Sequence, residues 1–279
     1  MNWLIEPLQY SFMLRALGAS IIVGTLCAVM GTYVVLRGMA FLGDALAHAI
    51  LPGIAIAYLV GGNLLLGALA AALVIAVGIG FFSRQGAVKE DTAIGILFAA
   101  ALSLGIALIS SIRTYAVDLS HILFGNVLGV SAADLWLTGG LGLLILATVF
   151  VMFKPFLVIS FDPVLAATMR LPANLLRMLM LILLALTVVV SLQTVGVGLA
   201  AAMLVTPAAT AYLLTRRLVP MMATSALLGA LSSVIGLYAS YYINVVSGAA
   251  IVLTATLFFL LAFLFGPRQR IWMRRVTDP

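Results

Sequence analysis

Charge is what this sequence has least of. Only 8% of its 279 residues are Asp, Glu, Lys or Arg, against about 25% in an ordinary soluble domain. Hydrophobic residues make up 65% and the mean hydropathy is +1.29, more apolar sequence than a soluble core could absorb. There is one cysteine, Cys27, so no internal disulfide can form, and its place in an apolar run reads as a small buried residue. Strand-type alternation is missing, which removes a β-barrel. No G-x-x-x-x-G-K-[ST] occurs, so the chain has no P-loop for ATP, and no H-E-x-x-H occurs, so a zinc-dependent intramembrane protease is not supported. The opening MNWLIEPLQYSF lacks a basic n-region and a small-residue cleavage site. It reads as an interfacial segment with Trp3 and Tyr10 near the headgroups.

What is present is a series of apolar runs, each long enough to cross ~30 Å of hydrocarbon as a helix. They fall near 14–36, 40–60, 63–83, 92–112, 133–153, 175–193, 197–214, 219–242 and 249–266. The expectation is an all-α integral membrane protein of eight to nine transmembrane helices, one domain over residues 1–279. The run at 195–210 contains Gly196, Gly198 and Pro207 and is either re-entrant or a bent span. Basic residues orient the bundle. With nine spans and the N-terminus outside, Arg37, Arg84, Lys89, Lys154, Arg170, Arg177, Arg216, Arg217, Arg268, Arg270, Arg274 and Arg275 share one side, leaving Arg15 and Arg113 on the other. This positive-inside pattern predicts a cytoplasmic C-terminus. It also explains the net charge of +6 without nucleic acid.

Against that background one stretch stands out. FLGDALAHAILPG (41–53) places Asp44 and His48 four apart in an apolar helix, so both project from one face about a turn apart. A charged residue inside a span costs ~2.5–3.5 kcal/mol on insertion scales and marks an ion pathway when it faces a cavity or partner. Carboxylate plus imidazole suits manganese, zinc or iron. Two ligands make a weak site, and a symmetric dimer with this helix near its axis would supply two of each. The alternative is a local side-chain bridge near the inner headgroups. His121, the other histidine, lies in the outer loop RTYAVDLSHILFG and reads as a loop residue.

YVVLRGMAFLGDALAHAILPGIAIAY (33–58) closely resembles the signature of the manganese/zinc/iron permeases of ATP-binding-cassette importers. KEDTAIGILFAAALSLG (89–105), HILFGNVLGVSAADL (121–135), ISFDPVLAATMRLP (159–172) and LVTPAATAYLL (204–214) resemble further blocks of that family, in order. The resemblance implies the importer permease fold in a prokaryotic cell (inner/plasma) membrane. It implies two permease copies surrounded by lipid, a cytoplasmic ATPase dimer that binds ATP, and an extracytoplasmic metal-binding protein. No cofactor is implied as permanently bound; the metal is cargo. It places Asp44 and His48 on the metal path. The sequence departs from the family at Ala47, commonly Ser; at Val164, which ends an FDPE-like pattern; and at Arg170, often Gly.

SFDPVLAATMRLP lies on the basic side between two spans. Asp162 can cap a helix, Pro163 suits its first position and Pro172 discourages extension, so a short helix is expected at about 161–171. The resemblance implies that it docks into the ATPase, with Phe161, Asp162, Pro163, Leu165, Met169 and Arg170 as the coupling residues. Lys89–Asp91 opens the fourth span, where acids complement the helix dipole. Pro207 should kink the seventh segment, with Thr206 and Thr210 satisfying freed backbone groups; Thr206 and Pro207 are candidate gating residues. The rival readings are a proton-coupled secondary transporter using Asp44 and His48 as a relay, an importer of a metal chelate, and an intramembrane enzyme, for which the residue inventory is poor.

Overall fold

The computed structural model describes residues 5–84, 88–111, 127–161 and 163–266. Arg113, His121, Asp162, Trp3 and the basic residues after Gly266 lie outside that set. All regular structure among the described residues is helical. The helices are α1 (Ser11–Leu36), α2 (Leu42–Ala49), α3 (Leu51–Val60), α4 (Leu64–Arg84), α5 (Glu90–Ser110), α6 (Ala132–Val151), α7 (Phe153–Phe161), α8 (Pro163–Thr168), α9 (Ala173–Val195), α10 (Val197–Leu214), α11 (Leu218–Ile243) and α12 (Ser247–Phe265). Eight helical stretches are long and apolar enough to cross a membrane, with α2 and α3 forming one of them over Leu42–Val60. α10 is shorter.

The chain alternates direction through the bundle. α9 runs antiparallel to α1: Arg37 Nη1 lies 3.8 Å from Met180 Sδ, and Cys27 Sγ 3.1 Å from Ser191 Oγ. Gly196 then takes φ +83°, a conformation that costs glycine little and other residues much. α10 starts at the next residue and returns beside α1. Gly24 faces Met203, Gly31 faces Ala208, and one cavity is lined by Val35 and Leu36 together with Thr215. The 197–214 segment is therefore a helix that runs back to the end where α1 finishes. At 18 residues it is about 27 Å long. Counting it, the described residues make nine passes along the bundle, an odd number that agrees with the opposite placement of the two ends of the described chain. Tyr10 lies against Tyr241, ring centroids 6.4 Å apart and tilted, whereas Gly266 lies by Leu213 at the opposite end, the end that carries Arg37, Arg177 and Arg217.

Close packing around α1 rests on small residues. In lipid, helices gain by backbone approach and interhelical hydrogen bonds, because tails are as apolar as leucine. A Cβ on Gly24 would come within 2.9 Å of Gly229 O on α11. Ser225 Oγ donates to Ala28 O at 2.9 Å and Ser233 Oγ to Ser20 O at 2.9 Å. Gly31 meets the backbone of Leu204 directly. Facing glycines at 53 and 67 bring α3 and α4 together in the same manner.

Candidate functional site

α2 begins inside the bundle, not at its end. After Leu36 the chain reverses in a tight turn: Met39 N–H donates to Val34 O at 3.0 Å and Leu42 N–H to Met39 O at 2.9 Å. Met39 is buried beneath the turn. Gly43, next to Asp44, packs on Leu204, the same residue that Gly31 packs on. Gly31 is five residues before the end of α1, so Asp44 starts roughly 7 Å inward of that end at 1.5 Å per residue. A second ruler agrees. His48 stands beside Phe98, ring centroids 6.2 Å apart, and Phe98 is eight residues, roughly 12 Å, along α5 from Glu90.

Pro52 interrupts the span beyond the pair. It falls within the first two positions of α3 and has no N–H to give the His48 carbonyl, so the helix breaks around Ile50. Where one span of 40–60 is expected, two helices occupy it.

Within α2, His48 Nε2 lies 3.6 Å from Asp44 Oδ1. The side chains are 30% and 46% exposed, a wide opening for polar groups at this depth. Ala47, by contrast, is fully buried. A hydroxyl at 47 would face the protomer interior, away from the open side of the pair. Among the described residues no group of three or more His, Cys, Asp or Glu side chains gathers in one place. The pair itself is one carboxylate and one imidazole.

The short helix expected at about 161–171 is present as α8 but is shorter, Pro163–Thr168: Phe161 ends α7, and Met169 and Arg170 lie in the turn that follows. It begins at Pro163 and ends in a C-terminal cap in which Leu171 N–H donates to Ala166 O at 3.0 Å. Ala166 is buried, whereas Leu165 and Met169, one turn apart, are exposed, as is Phe161 before them. Arg170 sits exposed at φ +55°, the left-handed position where such caps prefer glycine. On α10, Pro207 is inside a continuous helix. Thr210 Oγ1 donates to Thr206 O at 2.7 Å, not to Met203 O, whose donor the proline removes.

An ion pair at the same end of the bundle has no mark in the local sequence pattern. Arg37 Nη2 donates to Glu90 Oε2 at 2.8 Å, with side chains only 10% and 18% exposed. Burial holds the Arg37 guanidinium below its ordinary value, the Glu90 carboxylate offsets part of this, and the charge of Arg177 adds to the lowering. The packing of Phe98 on His48 has no such mark either. Both contacts join residues more than 45 positions apart, so local pattern carries no signal for them.

Residues 9–266 match the ABC 3 transport family. The chain is 49% identical over 269 residues to the manganese transport system membrane protein MntC of Halalkalibacterium halodurans, covering 96% of this chain and 92% of that one. It is 43% identical over 268 residues to the manganese import system permease protein ScaB of Streptococcus gordonii, covering 96% of each. Its fold superposes on PsaBC from Streptococcus pneumoniae in complex with Fab, with TM-score 0.86 and 40% identity over 98% of this chain and 99% of that one.

Proposed function

The chain belongs to the ABC 3 transport family, and from that premise we propose that it is the membrane-spanning permease subunit of an ATP-driven importer of a divalent transition-metal ion. The observation that carries this reading is the Asp44–His48 pair, open on one side and set roughly 7 to 12 Å inward from the basic end of the bundle. A partly exposed carboxylate facing lipid would be costly. Facing a second copy of the chain across a two-fold axis, the two pairs form a four-ligand station of oxygen and nitrogen donors suited to manganese, zinc or iron. The manganese systems named among its relatives support manganese as the cargo.

In this reading residues 1–279 form one transmembrane unit in the prokaryotic cell (inner/plasma) membrane, with the basic end and the C-terminus in the cytoplasm. An extracytoplasmic metal-binding protein delivers the ion at the Tyr10–Tyr241 end. A cytoplasmic ATPase dimer binds ATP and docks on Phe161, Asp162, Pro163, Leu165, Met169 and Arg170. The exposed Leu165 and Met169 supply apolar contact. Closure of the ATPase moves α8 and switches access to the station, with Thr206 and Pro207 on α10 as a point of bending. The test is uptake by the complex reconstituted in vesicles, with manganese, zinc and iron(II) supplied separately. ATP-dependent accumulation of one ion supports the reading. Uptake by the chain alone, driven by a pH gradient without ATPase, contradicts it.

A further inference from the structure

Two contacts tie the turn that precedes the Asp44–His48 pair to α5. At the bundle end Arg37 meets Glu90 at 2.8 Å. Further in, Phe41 and Phe98 meet edge to face, centroids 5.3 Å apart at 88°. Phe98 then reaches the His48 ring at 6.2 Å. Arg37 and Phe41 bracket the turn into α2, and Glu90 and Phe98 both lie on α5. Phe41 precedes Asp44 by three residues and His48 by seven, so the three lie along one helical stripe. From the basic end inward come the ion pair and then Phe41, and Phe98 reaches from Phe41 up to His48, so the two rings flank the acid and imidazole on the side of the basic end.

We propose that Phe41 and Phe98 are transport-path residues that form an apolar barrier reaching from the Asp44–His48 station toward the basic end, and that the Arg37–Glu90 pair holds this barrier shut. The proposal rests on the reading of Asp44 and His48 as the ion's station. Two apolar rings offer a divalent cation no lone pair to replace its water. Such constrictions close a pathway by dewetting, and the attraction of a ring face for a cation is small beside the cost of stripping a divalent ion. Phe41 is 43% exposed, on the open side that its stripe shares with the pair.

The lock is built to release. Arg37 reaches Glu90 through one carboxylate oxygen, and Glu90 Oε1 is buried without a hydrogen-bond partner, so the hold is weaker than a bidentate pair. On its other side Arg37 touches Met180 and feels the charge of Arg177. Both belong to the first turns of α9, which follows α8 after four residues. A displacement of α8 that brings Arg177 nearer to Arg37 therefore loosens the pair.

The experiment uses the complete transporter in vesicles, with manganese(II) as the probe and a metal-sensing dye inside. In an Arg37→Cys, Glu90→Cys variant, a short bis-methanethiosulfonate bridging the two thiols lowers ATP-driven uptake at least tenfold, and reductant restores it, which also establishes that the variant is folded. The native Cys27 is buried and does not compete. Full-rate uptake by the bridged protein overturns the lock. In a Phe98→Ala variant, ATP-independent downhill flux of manganese rises several-fold, while Phe150→Ala, at a strongly exposed position, leaves the vesicles tight. A Phe98→Ala transporter as tight as the native one overturns the barrier, and this measurement decides even where the double-cysteine variant is inactive before bridging. Asp44→Ala separates the two readings: it abolishes uptake without leak if the station is right, and normal uptake by it rejects the station while leaving the bridge and leak results to judge the barrier.

Discussion

Gly31 on α1 and Gly43 on α2 pack against the same residue, Leu204 of α10. That shared contact sets the depth of the acid beside Gly43. A turn placed at the membrane surface would leave Asp44 among headgroups, where a carboxylate needs no explanation. Here the Arg37–Phe41 turn folds back on Val34, whose carbonyl accepts from Met39 N–H, and α2 starts among apolar helices.

The contact also predicts which glycines tolerate a methyl group. A Cβ at Gly31 collides with the Leu204 carbonyl, whereas one at Gly140 meets nothing within 4 Å. Gly31→Ala is expected to destabilise the protein by about 1–3 kcal/mol, as overpacking does. Gly140→Ala should be neutral or stabilising by up to ~1 kcal/mol. Thermal unfolding of the two variants in the same detergent checks the contrast, and equal melting temperatures would contradict it.

The Arg37–Glu90 pair carries its own stability prediction. Both side chains are nearly buried, so Glu90→Leu alone strands a guanidinium and should cost roughly 3–5 kcal/mol. Arg37→Met combined with Glu90→Leu should recover much of that loss, because it removes both buried charges. A double variant no more stable than the single one would show that the pair is not the dominant contact there.

Arg170 occupies a left-handed backbone position at φ +55°. For an L-residue with a side chain this conformation costs about 1 kcal/mol relative to glycine. Arg170→Gly should therefore raise the melting temperature of the isolated permease. If it instead weakens capture of the ATPase subunit, the arginine side chain contributes a contact that offsets its strain.

Leu165 and Met169 test the docking face. Both are exposed one turn apart on the segment of α8, while Ala166 between them is buried. Leu165→Glu with Met169→Glu should leave the melting temperature of the permease unchanged and abolish co-purification of the ATPase. Undiminished co-purification would place the ATPase contact elsewhere.

Much of this fold is legible in the chain itself. Apolar runs of span length locate the helices to within a few residues, since lipid leaves the backbone little alternative to helix. Basic residues fix their alternation, and the agreement extends to α10, whose glycines and proline alone did not distinguish a re-entrant loop from a helix. Gly196 breaks the helix because its φ is positive; Pro207 does not, because the neighbouring helices hold α10 together. The spacing of Asp44 and His48 gives their common face. Depth is not legible, because it depends on how the 37–41 turn folds back on α1. Nor are Arg37–Glu90 and His48–Phe98, which are tertiary contacts between α5 and the turn into α2. The break at Ile50 follows from Pro52, a residue visible in the sequence whose effect on the span becomes plain only in the helix register.

The most direct measurement is metal flux through the reconstituted transporter carrying Asp44→Ala or His48→Ala. Both side chains are substantially exposed in the protomer, so their loss should leave folding and assembly with the ATPase intact. Each variant is expected to lose ATP-driven manganese uptake by at least tenfold while still assembling. Uptake at the native rate by both variants, in complexes of native composition, would contradict the assignment of this pair as the ion's station.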